Sequence, residues 1–191
     1  APAKLEVRPL APGDAAETAR LHAELFGDPD FNGHSVATLG TGFLEHAFYR
    51  LNIDNPDLHA LVAVADGRVV GFFVHATARS GVFGHLLRRH PVGLLRATLG
   101  SLVRRPTRLP AFLTNLRYMR QEAPAFLDDV QGWCVVVGVH PDARTRRFEA
   151  RHGGRVAADL FDAAEAHLQA AGCNGWYVAV RPDNAAVQGL L

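Results

Sequence analysis

The sequence predicts a mixed α/β domain of the α+β kind, in which a central sheet of mixed strand direction is flanked by helices. Two stretches carry that expectation. In HALVAVADGRVVGFFVHAT (59–77), two β-rich runs flank Asp66-Gly67, a pair that tolerates positive φ and suits a tight hairpin. Later, GWCVVVGVHP (132–141), GRVAADLFDAAEAHLQAAG (154–172) and GWYVAVRPDN (175–184) read as strand, helix and strand, a unit that makes a parallel pair. One sheet must then hold antiparallel and parallel neighbours.

The remaining elements follow in order. KLEVRPL (4–10) alternates and reads as the first strand. PGDAAETARLHAELF (12–26) reads as a helix, with Asp14 as its cap and Ala15, Ala19, Leu21, Leu25 and Phe26 on its apolar side. Residues 27–40 are loop-like, and GTGFLEHAFYRLN (40–52) reads as a second helix with Phe43, Leu44, Ala47, Phe48 and Leu51 on one face. The middle of 132–141 lacks polar alternation, which predicts a strand buried on both faces. Gly172 is a natural helix stop, and Asp183 or Asn184 a cap for a last helix, AAVQGLL. The order is β-α-α-β-β-insert-β-α-β-α. Residues 1–191 are expected to form a single domain, with 79–130 as a helical insert between the third and fourth strands.

Composition narrows the chemistry. A net charge of +1 argues against a nucleic-acid binder. Lys4 is the only lysine, which leaves almost no room for Schiff-base catalysis. Cys134 and Cys173 make neither a disulfide framework nor a zinc set, and a reduced cytoplasm is the expected compartment. The histidines show no HxxxH spacing, so no metal is expected. No run reaches the roughly 18 apolar residues that span a bilayer.

RHGGRVAADLF (151–161) is the stretch with a functional look. A helix N-terminus exposes unpaired N–H groups and about half a positive charge, and glycines before it let a phosphate approach. Arg144, Arg146, Arg147, Arg151 and Arg155 lie in or beside this loop against Glu149 alone. The other reading is a solvated, arginine-rich turn. The stretch is neither a P-loop nor a GxGxxG dinucleotide loop.

The element order, Val139-x-Pro141-x-x-Arg144 after a buried strand, and Asn184-AAVQGL after the next strand together resemble the GNAT family of acyl-CoA-dependent N-acyltransferases. The resemblance covers most of the chain apart from 79–130. It implies acetyl-CoA as cosubstrate, with pantetheine against the strand at Val137, Gly138 and Val139. The pyrophosphate would then sit on Gly153, Gly154, Arg155, Val156 and Ala157, with Arg144 and Arg151 alongside, and Asn184 matches the position that contacts the pantetheine side. Two departures stand out. TRRFEARH is inserted before the glycine pair, with His152 where Gln or Arg is usual and Arg155 where glycine is usual. The position of a common C-terminal tyrosine is Leu191, and the family's final C-terminal strands are missing from the 191 residues.

The central strand carries no acid, so a base for the attacking amine must lie elsewhere. His140 is the first candidate and Asp129 the second, with Asp128 and Glu122 nearby; Tyr118 is a candidate acid, as is Tyr177, although an apolar strand more often makes it core. Asp28, Asn32, His34 and Tyr49 fall where the resemblance puts the acceptor wall. Between Arg79 and Asp129 stand nine arginines and three acids among leucines at near-helical spacing. That pattern reads either as a lobe packed on the domain or as a membrane-surface contact through 79–120. The long insert resembles a bacterial subgroup associated with cell-surface polysaccharide assembly, which implies an amino-sugar acceptor. The expected activity is acetyl transfer to the primary amine of a small molecule, with a homodimer as a further candidate partner. The alternative is a catalytically degenerate CoA-binding, protein-binding or membrane-binding module.

Overall fold

Asp66 (φ 49°) and Gly67 (φ 73°) both adopt left-handed backbone, and the chain reverses on them between β2 (Leu58–Ala65) and β3 (Arg68–Ala76). Two successive positive φ values match the right-handed twist of the strands they join, which is why this pair makes the turn. The computed structural model describes residues 4–27, 36–77, 81–110, 113 and 130–178. With β1 (Glu6–Pro9), β4 (Gly132–Val139) and β5 (Trp176–Val178), the hairpin forms, among the described residues, a five-stranded sheet in the order β1-β2-β3-β4-β5. Every pairing is antiparallel except β4–β5, which is parallel. The mixed sheet expected from sequence is present.

Two irregularities shift the register. One lies between Ala63 and Val64 of β2, opposite β3, and the other between Val74 and His75 of β3, opposite β4. Each bends the sheet and re-aims the side chains that follow it.

Phe72 and Phe73 are both fully buried on opposite faces, as strand alternation requires. On the Phe72 face lie α1 (Ala15–Phe26) and α2, a continuous helical run of α geometry at Thr41–Phe43, π at Leu44–Tyr49 and 3-10 at Arg50–Asn52. On the Phe73 face lies α6 (Val156–Ala170), which contributes Val156, Leu160, Phe161 and Ala164. Two further helices, α3 (Gly81–Arg89) and α4 (Pro91–Arg104), come from the expected insert. Leu86 is fully buried, and Leu94 packs on the cluster of Leu39, Phe43 and Ala47.

Three expectations are corrected. Asp14 holds the N-cap position of α1 but makes no side-chain cap bond there: its carboxylate accepts the Ala11 N–H at 2.8 Å and both guanidinium arms of Arg8, at 2.6 and 3.0 Å. It therefore closes the 3-10 turn Pro12–Asp14 and ties β1 to α1. The helix expected from 154 begins at Val156. The TRRFEARH segment is no loop insertion but a helix of its own, α5 (Arg146–His152), capped by the Thr145 hydroxyl on the Phe148 N–H at 3.2 Å. Of the strand expected at 175–184, the described part is Trp176–Val178.

Candidate functional site

The N-terminus of α6 lies at the C-terminal end of β4. A Cβ on Gly71 would meet Val156 at 2.7 Å, Leu160 at 3.1 Å and the Gly138 carbonyl at 3.3 Å, so the first turn of α6 rests directly on β3 and β4. Arg155 is the N-cap and its side chain makes no cap hydrogen bond. The first intrahelical bond runs from the Asp159 N–H to the Arg155 carbonyl at 2.8 Å. The amides before it, at Val156, Ala157 and Ala158, have no acceptor within the helix and carry its positive end.

The glycine pair does not open this helix in the way the sequence suggested. Gly153, at φ 72°, is the left-handed stop of α5, and its N–H reaches the Glu149 carbonyl at 2.8 Å. A Cβ on Gly154 would lie 2.5 Å from Asp159 Oδ2 and 2.7 Å from Leu5, so this glycine is needed for close packing. Of residues 153–157, the N-cap Arg155 and the amides after it face the helix end.

The arginines are less free than their number implies. The Arg144 guanidinium donates through Nε and Nη2 to the Val139 carbonyl, at 2.9 and 2.7 Å, locking the turn after β4. Arg151 sits 3.2 Å from Asp66. Arg147 and Arg151 line a cavity of about 290 Å³ with Arg68, Asp66, Asp142 and His140. Three cations and two carboxylates make this a nearly balanced cavity.

His140 stands in that cavity, its Nδ1 accepting from the Asp142 N–H at 3.3 Å and its backbone N–H donating to the Val70 carbonyl of β3 at 2.8 Å. It is thus on the β3 side of β4. The described β4–β5 ladder runs from Gly132↔Trp176 to Cys134↔Val178, and Val137, Gly138 and Val139 lie beyond it. Val137 and Val139 face α6, whereas Gly138 lies under the Phe72 ring, 2.7 Å from where a Cβ would stand.

Tyr49, expected on the acceptor wall, packs in the core and borders a cavity of about 100 Å³ with Phe48, His59 and His167. It is 2% exposed, its hydroxyl is 2.9 Å from His22 Nδ1, and burial holds its pKa well above the ordinary value. Asp28, Asn32, His34, Tyr118, Asp129 and Asn184 lie outside the described residues.

Sequence reasoning missed a histidine cluster on the α6 face. His75 Nε2 is 3.0 Å from His167 Nδ1, and the His59 ring centroid is 4.2 Å from that of His167. Burial, then the neighbouring His167 and His59, push His75 down to about 3. The bulge in the hairpin hid the cluster: it sets His59 opposite His75, where an unbroken hairpin would give it Val74.

No protein-family model matches the sequence, and no curated protein matches it. Solved structures do. A ribosomal-protein-alanine N-acetyltransferase from Brucella melitensis biovar Abortus 2308 superposes with a TM-score of 0.50 at 16% identity, over 98% of this chain and 87% of that one. The aminoglycoside N-acetyltransferase AAC(6')-Iy, in complex with CoA, gives a TM-score of 0.54 at 14% identity, over 98% and 84%. The chain has the GNAT acetyltransferase fold. The aminoglycoside acetyltransferase meta-AAC0020, from an uncultured soil metagenomic sample, shares the GNAT fold with a TM-score of 0.50 at 11% identity, over 97% and 83%. Among the described residues of this GNAT-fold chain, no helix is long and apolar enough to cross a membrane.

Proposed function

We propose that the chain is an acetyl-CoA-dependent N-acetyltransferase acting on the primary amine of a small molecule, with amino sugars as the first acceptor class to test. The observation that carries this reading is the uncapped N-terminus of α6 at the end of β4, in a fold shared with an acetyltransferase solved with CoA. The Val156–Ala158 amides and Arg155 would take the pyrophosphate, and the β4 backbone from Val137 to Val139 the pantetheine. In the reaction, the amine nitrogen attacks the thioester carbonyl carbon, the C–S bond breaks, the amine loses a proton and the CoA thiolate gains one. Holding the two reactants together supplies much of the rate. His140 and Asp129 remain the proposed bases and Tyr118 the proposed acid.

Calorimetric titration tests the donor site. Acetyl-CoA is expected to bind with micromolar affinity, and Arg155→Glu to weaken it by about 10–100-fold, the worth of one charge-assisted contact reversed. Arg155 is exposed, so the variant keeps its fold. Gly154→Asp is a poor probe because its side chain would collide with Asp159 and Leu5. Unchanged affinity in folded Arg155→Glu removes the pyrophosphate from this helix end. Binding without turnover on any amine would leave a degenerate CoA-binding module.

One observation favours a second property. Val92, Leu95, Leu99 and Val103 form a stripe along α4, from 51% to 80% exposed, and Arg88, Arg89, Arg96, Arg104 and Arg105 stand exposed around it. Apolar side chains ringed by arginine suit an anionic lipid surface. Vesicles containing phosphatidylserine are expected to bind the chain, with binding falling steeply as salt rises, and Leu95→Ser/Leu99→Ser to abolish it. Equal partition onto neutral and anionic vesicles would rule out the electrostatic part.

A further inference from the structure

Asp54, His85 and His90 come from three places in the chain and meet at one point. Asp54 follows α2, His85 lies on α3, and His90 is the break before α4, where Pro91 starts the next helix. His85 Nε2 is 3.3 Å from Asp54 Oδ1, and His90 Nε2 is 3.5 Å from the same oxygen. One ligand atom from each residue lies within 4.8 Å of the other two.

The first separation is a long hydrogen bond and the second an ion-pair distance. A charge-assisted N–H···O bond usually spans about 2.7–2.9 Å. Zinc bound at ~2.0–2.1 Å with tetrahedral angles, in contrast, sets neighbouring ligand atoms about 3.3–3.4 Å apart. The observed 3.3 and 3.5 Å fall at that edge length. A second observation concerns the surroundings of His90 Nε2. The His90 Nε2 atom is enclosed by protein and has no hydrogen-bond partner among the described residues. A shielded ring nitrogen without a partner costs free energy unless something else takes its lone pair.

We infer that Asp54, His85 and His90 bind a divalent transition metal, zinc by ligand type, with a fourth position left for water. Two imidazoles and one carboxylate are a borderline set that suits zinc over calcium or magnesium. The ion would clasp the α3–α4 insert to the segment between α2 and β2. It needs no part in acetyl transfer, so the site stands or falls apart from that reading. His85 and His90 are five residues apart, a spacing that does not align two ligands along one helix. The break at Pro91 carries the His90 ring back toward His85, with centroids 5.7 Å apart.

The test is a calorimetric titration of Zn²⁺ into chelator-treated protein, repeated with Co²⁺ and read by its visible d–d bands. The expected result is saturable binding of one equivalent, with the band intensity of a four-coordinate ion. Asp54→Asn and His90→Gln should each weaken it by about two orders of magnitude, at least as much as loss of a supporting outer-shell contact. Both positions are outside the main cores, and unchanged circular dichroism would confirm folded variants. Zn²⁺ should also slow tryptic cleavage at the exposed Arg88, Arg89 and Arg96 of the wild type and not of the variants. No saturable binding by the wild type, or equal affinity in both variants, overturns the site.

Discussion

Replacing Phe72 with alanine is expected to destabilise the fold by about 3–5 kcal/mol, the range for truncating a buried aromatic ring. Phe72 is fully enclosed, with the His22 ring stacked at 5.1 Å and Phe26 and Tyr49 edge-on at 6.4 Å. Its cross-strand partner is Gly138, and the ring fills the space a Cβ there would need. With the ring removed, β4 has no side chain of its own at that point to refill the void. A whole domain is stable by only about 5–15 kcal/mol, so this one change removes a large share. Urea unfolding checks it: the midpoint should fall with the slope unchanged. A loss under about 1 kcal/mol would mean that the surrounding rings collapse into the gap. In contrast, Val103→Ala on the exposed stripe of α4 should stay within about 0.5 kcal/mol.

The fold was largely legible because its strongest signals are local. Asp66-Gly67 specifies its turn through backbone conformation alone, and Gly172 at φ 80° ends α6 as expected. What was not legible depends on contacts distant in sequence. Tyr49 lies on the same helical run as the apolar Phe43, Leu44, Ala47 and Phe48, and only the packing of α1 shows that its hydroxyl meets His22. The α5 helix is a different case, because its signals were in the sequence: Thr145 as a cap, seven residues, then Gly153 as a left-handed stop. The family resemblance implies a loop at that point, against these local signals. The Asp54–His85–His90 cluster was hidden because a metal reading built on helical spacing cannot see ligands brought together by a helix break.

The same limit applies to His59, His75 and His167, and here the consequence is a pH dependence. His75 is enclosed by protein and stays neutral down to about 3, whereas in the unfolded chain it takes up a proton near 6.5. The unfolded state therefore binds more protons between those two values, and stability falls as the pH falls through that window. The slope from this one group is at most about 1.4 kcal/mol per pH unit. Burial and His167 lower His59 too, so it adds to the same trend. The paired carboxylate of Asp14 also loses stability in acid, but only below its ordinary value of 3.8, because the Arg8 bond lowers it. Measurements kept above about pH 4.5 thus isolate the histidines. Urea unfolding at pH 7.5, 6 and 5 should show a falling midpoint in the wild type and a flatter profile in His75→Leu. Parallel profiles would clear His75 of the effect. The result also governs how activity is read: acetyl transfer needs a neutral amine and falls in acid for that reason alone. Only acetyl-CoA binding measured at the same pH values can separate an acceptor losing its nucleophilic form from a domain losing its stability.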